Sequence, residues 1–258
     1  MNPRLGLVGA IALLTLSPAL VFAQAPGARE AAFIAGQTLD CAGCKLAGVS
    51  FKRYNLANAN LSNADLEGAT FHETKLNGAN LSGAKARTAN FDLAILTSAN
   101  FSGADLTEAL FFGASASGAN FSNATMADAR MGNATLIRAT LAGANLSRVD
   151  LGGATLTDAR LTGARLTDAD LRETNLVRTD LGGVEADPVY FGNARMRGAN
   201  LKGAVLRGSN FEGADLSDAS LVGSDLTGAQ LAGAVLLGTD LDAAVLTGAR
   251  MPDNTVHP

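Results

Sequence analysis

The sequence has very few of the residues that build catalytic or metal sites. Its 258 residues include no tryptophan, two cysteines, two histidines and two tyrosines. His72 and His257 are isolated from each other and from any cysteine, so the chain lacks a metal-ligating set and a nucleophile paired with a histidine base. We therefore expect no catalytic residues, no cofactor and no metal site, and we interpret the chain as non-enzymatic.

A basic excess is also missing. The chain has 20 Lys and Arg against 24 Asp and Glu, a net charge of −4. Binding to nucleic acid through its phosphates depends on clustered positive charge. An aromatic content of 5% provides no stacking platform for single strands either. We expect no nucleic-acid partner.

Residues 1–23 have the three-part layout of a secretory signal peptide. Arg4 precedes an apolar run, Leu5 to Leu16, and the segment ends on the small residue Ala23. The run is too short to cross about 30 Å of hydrocarbon, so we expect no membrane span after cleavage. The sequence predicts cleavage after Ala23, although a cut after Ala25 also fits, and export to the periplasm or the medium.

From Leu46 to Met251 the chain repeats every five residues without a change of phase. The 42 central positions of these pentads are 27 Leu, 8 Phe, 4 Met and 3 Ala. The position two residues before each centre is usually Ala, as in Ala59-Asn60-Leu61-Ser62-Asn63. A period of five fits neither a helix nor a strand. It predicts a solenoid whose short units bury their apolar residues against their neighbours.

In this pattern the chain resembles the pentapeptide-repeat family, whose consensus is A(D/N)LXX. The resemblance covers residues 44–251. It implies an all-β solenoid, a right-handed quadrilateral β-helix with one pentad per side, 20 residues per coil and about ten coils. The sequence then divides into a signal peptide at 1–23, an N-terminal cap segment at 24–43, the β-helix at 44–251 and a C-terminal tail at 252–258.

Charges spaced by 20 residues support this coil length. Residues i and i+20 are cross-strand neighbours when coils stack in register, and opposite charges are favourable there. Opposite-sign pairs outnumber like-sign pairs fourteen to two, and one column alternates through Lys45, Asp65, Lys85 and Asp105. Exposed pairs contribute little stability, so we expect them to specify the register.

Sorting the centres by side predicts a stack of phenylalanines along one side of the core. Its members are Phe51, Phe71, Phe91, Phe111, Phe191 and Phe211. The opposite side adds Phe101 and Phe121. The three alanine centres, Ala86, Ala116 and Ala186, all fall in coils that contain a phenylalanine, which indicates volume compensation in a close-packed interior.

The side that begins with Leu61 has Gly or Asn almost always two residues after its centres, which predicts a type II turn there. Because the other sides mix Arg, Glu and Asp into that position, we expect a different turn on them. The same side has an Asn/Ser surface, from Asn60 and Ser62 to Asn120 and Ser122. Its regularity fits either an internal hydrogen-bonding ladder or a surface for a repetitive ligand such as glycan or ice.

Cys41 and Cys44 stand just ahead of the first coil. A redox dithiol lacks a thioredoxin-like context here, and a haem-attachment motif would need His rather than Lys45. The remaining interpretation is structural, with the two residues free or paired as a disulfide, and an oxidising compartment favours the pair. Exported members of the pentapeptide-repeat family have a similar cysteine pair. Upstream, residues 28–34 form a candidate capping helix.

Apolar residues occupy outward positions near the C-terminus, at Val235, Leu237 and Val245. Members of the family dimerise through this end, so the resemblance implies a homodimer with these residues as contacts. Between Glu212 and Asp253 the sequence has seven acids and one base, Arg250, which makes this end the most negative.

These features favour an exported, non-catalytic scaffold that binds a protein partner whose identity the sequence does not give. An alternative comes from family members that mimic DNA and bind type II topoisomerases, conferring quinolone protection. Export would separate such a rod from the enzyme, and alternating charges cancel much of the field that mimicry needs. A binder of glycan or ice through the Asn/Ser surface is the remaining alternative.

Overall fold

The computed structural model describes residues 27–258. One helix in this range, α1, spans Ala28–Ile34. The rest of the described chain forms single-residue parallel β-bridges in place of longer strands, from Asp40–Asn60 to Gln230–Arg250. Each parallel bridge joins residues 20 positions apart, which confirms the 20-residue coil and its register. The predicted signal peptide lies outside the described residues.

Each coil has four sides, here called faces 1 to 4. In the first coil they are residues 44–48, 49–53, 54–58 and 59–63, and each face recurs every 20 residues. The predicted phenylalanine stack therefore lies on face 2 and the Asn/Ser surface on face 4. Faces 2 and 4 are opposite walls of the core, and faces 1 and 3 join them.

The pentad pattern follows from the alternation of inward and outward positions. The centre and the small residue two before it point inward, so Ala59 and Leu61 are both fully buried. The backbone of each pentad bonds to the next coil, for example from the Leu61 N–H to the Asn80 carbonyl at 2.7 Å. Burying one Leu side chain is worth about 1.5–3 kcal/mol, and one continuous core runs along the rod.

Every regular corner of the coil has the same backbone. The residue three after a centre donates its N–H to the carbonyl of that centre, as from Ala64 to Leu61 at 3.1 Å. The second residue after each centre has a left-handed φ on all faces, for example 64° at Gly83, 64° at Arg53 and 58° at Leu93. The prediction of a different turn outside face 4 is wrong, because the hydrogen bonds of the coil impose this φ on any side chain.

The left-handed φ of this corner limits which residues can replace its glycines. Gly163 has a φ of 65° and no atom within 4 Å of the place where a Cβ would stand. We expect Gly163→Val to lower the free energy of unfolding by about 1–2 kcal/mol, since a β-branched residue is disfavoured at this φ. Gly163→Asn should cost clearly less, because Asn123 has a φ of 57° in the same column. Guanidinium unfolding of both variants tests this, and equal costs would contradict it.

The C-terminal tail closes part of the last coil. Arg250 and Val256 form an antiparallel bridge. The Met251 N–H donates to the Thr255 carbonyl at 2.8 Å, and the His257 N–H donates to the Ala249 carbonyl at 2.8 Å. Residues 252–258 thus fold back as a small hairpin, which covers an edge that would otherwise be free to pair with another chain.

Candidate functional site

The N-terminal end of the core is covered by α1. Phe33 of this helix is fully buried, and its ring meets Phe51 edge-on at 5.6 Å between centroids. Arg29 donates to the Ala42 carbonyl, just before the first coil, at 3.1 Å. The Lys45 N–H donates to the Glu30 carboxylate at 3.1 Å, and this bond holds the pKa of Glu30 below its usual value. The helix is therefore fixed to the coil by packing and by two polar contacts.

Cys41 and Cys44 form a disulfide in the structure. Both residues are buried, at 0% and 2% exposure. Cys41 belongs to the ladder of the coil, since its N–H donates to the Asn60 carbonyl at 2.8 Å. The position of the pair in the packed end of the core fits a structural role. Such bonds persist in oxidising compartments.

The phenylalanines of face 2 stack ring on ring inside the core. Centroid distances are 5.2 Å for Phe51–Phe71, 4.9 Å for Phe71–Phe91 and 4.8 Å for Phe91–Phe111. A second stack, Phe191–Phe211 at 5.0 Å, follows after the non-aromatic centres at residues 131, 151 and 171. These residues build the scaffold and contact no solvent, so the binding surface must be sought outside the core.

The three candidate dimer contacts are exposed, but they do not share one face. Val235 and Leu237 lie together on face 3, with 47% and 76% of their surface exposed, whereas Val245 lies on the opposite face 1. The centres Leu241 and Leu246 are only partly buried here, since no further coil covers them. Together these residues make an apolar rim around the C-terminal end, which we call the C-terminal rim.

Carboxylates surround the C-terminal rim, and some of them are held in the ionised form. Hydrogen bonds from the Thr227 hydroxyl and the Arg207 guanidinium lower the pKa of Asp225 to about 2. The Thr255 hydroxyl lowers the pKa of Asp253 in the same way. The acidic character that the sequence predicts for this end is therefore kept at any pH well above 4.

On the Asn/Ser surface of face 4, the polar groups largely bond to one another. Asn100 donates to Asn80, and Asn120 donates to Asn100, both at 3.2 Å. The Asn120 side-chain oxygen also accepts from the Ser122 N–H at 3.0 Å and from its hydroxyl at 2.6 Å. This is the hydrogen-bonding ladder that the sequence allowed, and it leaves few free groups for a ligand.

Most of the close ion pairs lie at the corners of the coil. Asp128–Arg148 and Asp158–Arg178 are bridged through two nitrogens each, at 2.6–2.8 Å, one coil apart. Arg53 and Glu73 also pair one coil apart, through the Nε of Arg53 alone. The column that starts at Lys45 keeps the predicted register, yet no ion pair within 4 Å forms along it in the described chain. Asp105 instead lies 3.8 Å from Arg87, outside the column.

Between residues 27 and 258 no group of three or more His, Cys, Asp or Glu side chains is placed to hold a metal ion. No helix in this part of the chain has the length and the apolar content to cross a membrane.

Sequence reasoning identifies Phe112 as an outward aromatic residue, but it misses the apolar side chains near it in the middle of the rod. Leu93, Ile95 and Phe112 are 47%, 40% and 54% exposed, and Leu110 lies beside Phe112 on face 2. Taken singly, exposed apolar residues are ordinary. The sequence does contain a signal for them: they occupy outward pentad positions, where the other coils mostly have polar or small residues.

Family models match most of the repeat region. A model described as a pentapeptide repeat region matches residues 44–121. A second, described as pentapeptide repeats (8 copies), matches 104–143, 114–153, 144–183, 189–223 and 224–253. No curated protein matches the chain.

Solved structures of repeat proteins are similar to this chain. HetL, a pentapeptide repeat protein involved in heterocyst differentiation regulation in the cyanobacterium Nostoc, is 31% identical, with 90% of this chain and 98% of that chain covered and a TM-score of 0.35. QnrB1, a plasmid-mediated fluoroquinolone resistance protein, is 19% identical, with 78% and 92% covered and a TM-score of 0.33. A protein of the Arabidopsis thaliana thylakoid lumen is 35% identical, with 41% and 66% covered and a TM-score of 0.21.

Proposed function

The chain belongs to the pentapeptide repeat family of right-handed β-helices, and on this premise we propose that it is an exported, non-catalytic scaffold that presents rigid faces to a protein partner. The observation that carries the scaffold role is the unbroken core from Phe33 to Ala249. Because each coil is bonded to the next along its whole length, outward side chains keep fixed spacings, as a binding platform requires.

The disulfide supports export. Cytosolic thiols are kept reduced, whereas periplasmic and extracellular proteins form stable disulfides. A bonded, buried pair at the first coil therefore fits the signal peptide predicted at residues 1–23.

Expression of the full-length chain in a bacterium, followed by fractionation and sequencing of the product's N-terminus, tests this proposal. We expect a start at Gln24, or at Pro26 for the second cleavage position, in the periplasmic fraction. Changing Ala23 to Arg should abolish the Gln24 start, since the processing rule requires a small residue before the cut. A product that begins at Met1 and stays in the cytoplasm would overturn export.

We also propose that the C-terminal rim joins two copies of the chain. The N-terminal end of the core is covered by α1, whereas at the C-terminal end Leu241 and Leu246 stay partly exposed beside Leu237. An apolar end of this kind is stabilised when a second copy covers it. Carboxylates around the rim should repel each other across the contact, so added salt should strengthen the dimer.

We expect Leu237→Lys to convert the dimer to a monomer, because the change places a charge at the most exposed apolar position of the rim. Ile95→Lys is the matched control, since Ile95 is also exposed but lies far from the rim. Light scattering on the mature chain measures both masses. An unchanged mass for Leu237→Lys, or equal effects of the two variants, would count against a dimer at this end.

A further inference from the structure

Face 2 contains a column of glycines that the backbone does not require. Nearly all described glycines occupy corners with a left-handed φ. The exceptions are Gly132, Gly152, Gly182 and Gly192, which have ordinary backbone conformations. Three of these four lie on face 2, one residue after the centre, where other coils have side chains as large as Phe or Arg. Gly132 and Gly192 are buried because the side chains of Phe112 and Arg172 lie flat across them, whereas Gly152 leaves the surface bare.

Two exposed aromatic rings flank this low surface, Phe112 in the glycine column itself and Tyr190 in the adjacent column of Asp150 and Asp170. Phe112 is 54% exposed, and two of its ring atoms lie 3.5 and 3.8 Å from where a Cβ on Gly132 would stand, so the ring rests on that glycine. Tyr190 is 40% exposed at the other end. The two residues are four coils apart, which at about 4.8 Å per coil is about 19 Å. The described chain thus has a shallow trough with an aromatic ring at either end.

The floor and walls of the trough mix hydrogen-bond donors and acceptors. A depression of about 400 Å³ is lined by Asp150, Gly152, Gly153, Asp170, Arg172 and Glu173. Arg172 bonds to Asp170 through two nitrogens, which lowers the pKa of Asp170 and keeps it ionised. Asp150 accepts from the Gly152 N–H at 2.9 Å with one oxygen and leaves the other available.

The charged and hydrogen-bonding groups of the depression determine which class of ligand it can bind. Three carboxylates against one guanidinium around the depression would repel a polyanion such as nucleic acid or a phosphate polymer. Neighbouring donors and acceptors suit hydroxyl groups, each of which can donate and accept. An exposed aromatic ring offers a flat apolar surface to the C–H face of a sugar. A sugar ring in an extended glycan also advances by a distance close to one coil.

We propose that face 2 between Phe112 and Tyr190 binds a neutral, extended oligosaccharide of about four sugar units. The rings pack against sugars at the two ends, and Asp150, Arg172 and Glu173 bond to hydroxyls between them. This site lies on the wall opposite the Asn/Ser surface, and it requires neither export nor dimerisation.

Saturation-transfer NMR and titration calorimetry with the mature chain test the site, using two neutral probes: a β-1,4-linked hexamer of glucose and one of N-acetylglucosamine. We expect saturation transfer from the protein to at least one of these two sugars. Phe112→Ala and Tyr190→Ala should each weaken its binding about tenfold, and the double variant should abolish it. Absence of transfer to both sugars from the unmodified chain would overturn the proposal, as would full binding by the double variant.

A second pair of variants separates the trough from general effects on the fold. Gly152→Gln fills the floor and should weaken binding about tenfold or more. Gly182→Gln makes the same change at the same pentad position on face 4, where the local contacts are similar, and should leave binding intact. Equal binding by these two variants would contradict the assignment. If Phe112→Ala instead lowers the mass in light scattering and the unmodified chain binds neither sugar, face 2 is a contact between copies and the proposal is wrong.

Discussion

Replacing Phe111 with Ala should lower the free energy of unfolding by about 3–5 kcal/mol. The Phe111 ring is fully buried. It stacks on Phe91 at 4.8 Å and meets Phe101 and Phe121 edge-on at 6.0 Å each. The variant therefore loses the transfer free energy of a whole ring and leaves a cavity that three rigid neighbours cannot fill by small movements.

The next residue provides the control. Phe112 has the same side chain but is 54% exposed on the surface of face 2, so Phe112→Ala should change the free energy of unfolding by less than about 1 kcal/mol. Guanidinium unfolding followed by circular dichroism compares the two. Because repeats contact only their neighbours, amide hydrogen exchange in Phe111→Ala should accelerate most in the coils next to residue 111. Similar losses in both variants would show that the ring stack does not stabilise the rod.

The coil could be predicted from the sequence because its signal is repeated 42 times in one phase. Each Leu or Phe centre requires an inward position, and charges spaced by 20 residues require the same register that the bridges show. Leu46 and Met251 mark the first and last centres of this pattern. Inward positions are decided by burial, and burial follows directly from residue type.

The corners could not be predicted in the same way. Residue type at an exposed corner reflects local preference, and Gly or Asn is preferred where φ is positive. The ladder of hydrogen bonds is strong enough to hold Thr88 and Leu93 at φ values of 54° and 58° as well. A sequence-based assignment of turn type fails there, since the conformation is set by neighbouring coils.

The surfaces were the least predictable part of the molecule. The tail hairpin, in which Arg250 and Val256 form a bridge, follows the last pentad, so the repeat pattern does not predict it. Val245 and Leu237 both occupy outward pentad positions near the C-terminus, although the coil places them on opposite faces. The trough on face 2 depends on Gly152 having an ordinary φ, while the next residue, Gly153, has the left-handed φ of the corner. Because the sequence predicts a different turn on face 2, it does not tell which of these two glycines the turn requires.

Ala116→Leu is expected to lower the free energy of unfolding by about 1–3 kcal/mol, because the interior of its coil is already full. Ala116 is fully buried on face 3, between Phe111 on face 2 and Phe121 on face 4. The rings of these two residues are 6.0 Å apart between centroids. Three added carbon atoms must displace a ring or the backbone, and the coils above and below resist both movements.

A smaller side chain at residue 121, on the neighbouring face of the same coil, should offset the destabilisation caused by Ala116→Leu. Phe121→Leu alone should destabilise the protein by leaving space, whereas the double variant Ala116→Leu with Phe121→Leu restores the Leu centres that most other coils have on faces 3 and 4. We expect the double variant to be more stable than the sum of the single effects predicts, by about 1 kcal/mol or more. Guanidinium unfolding of all four proteins measures this coupling. Strictly additive effects would show that the alanine centres do not compensate for the phenylalanines.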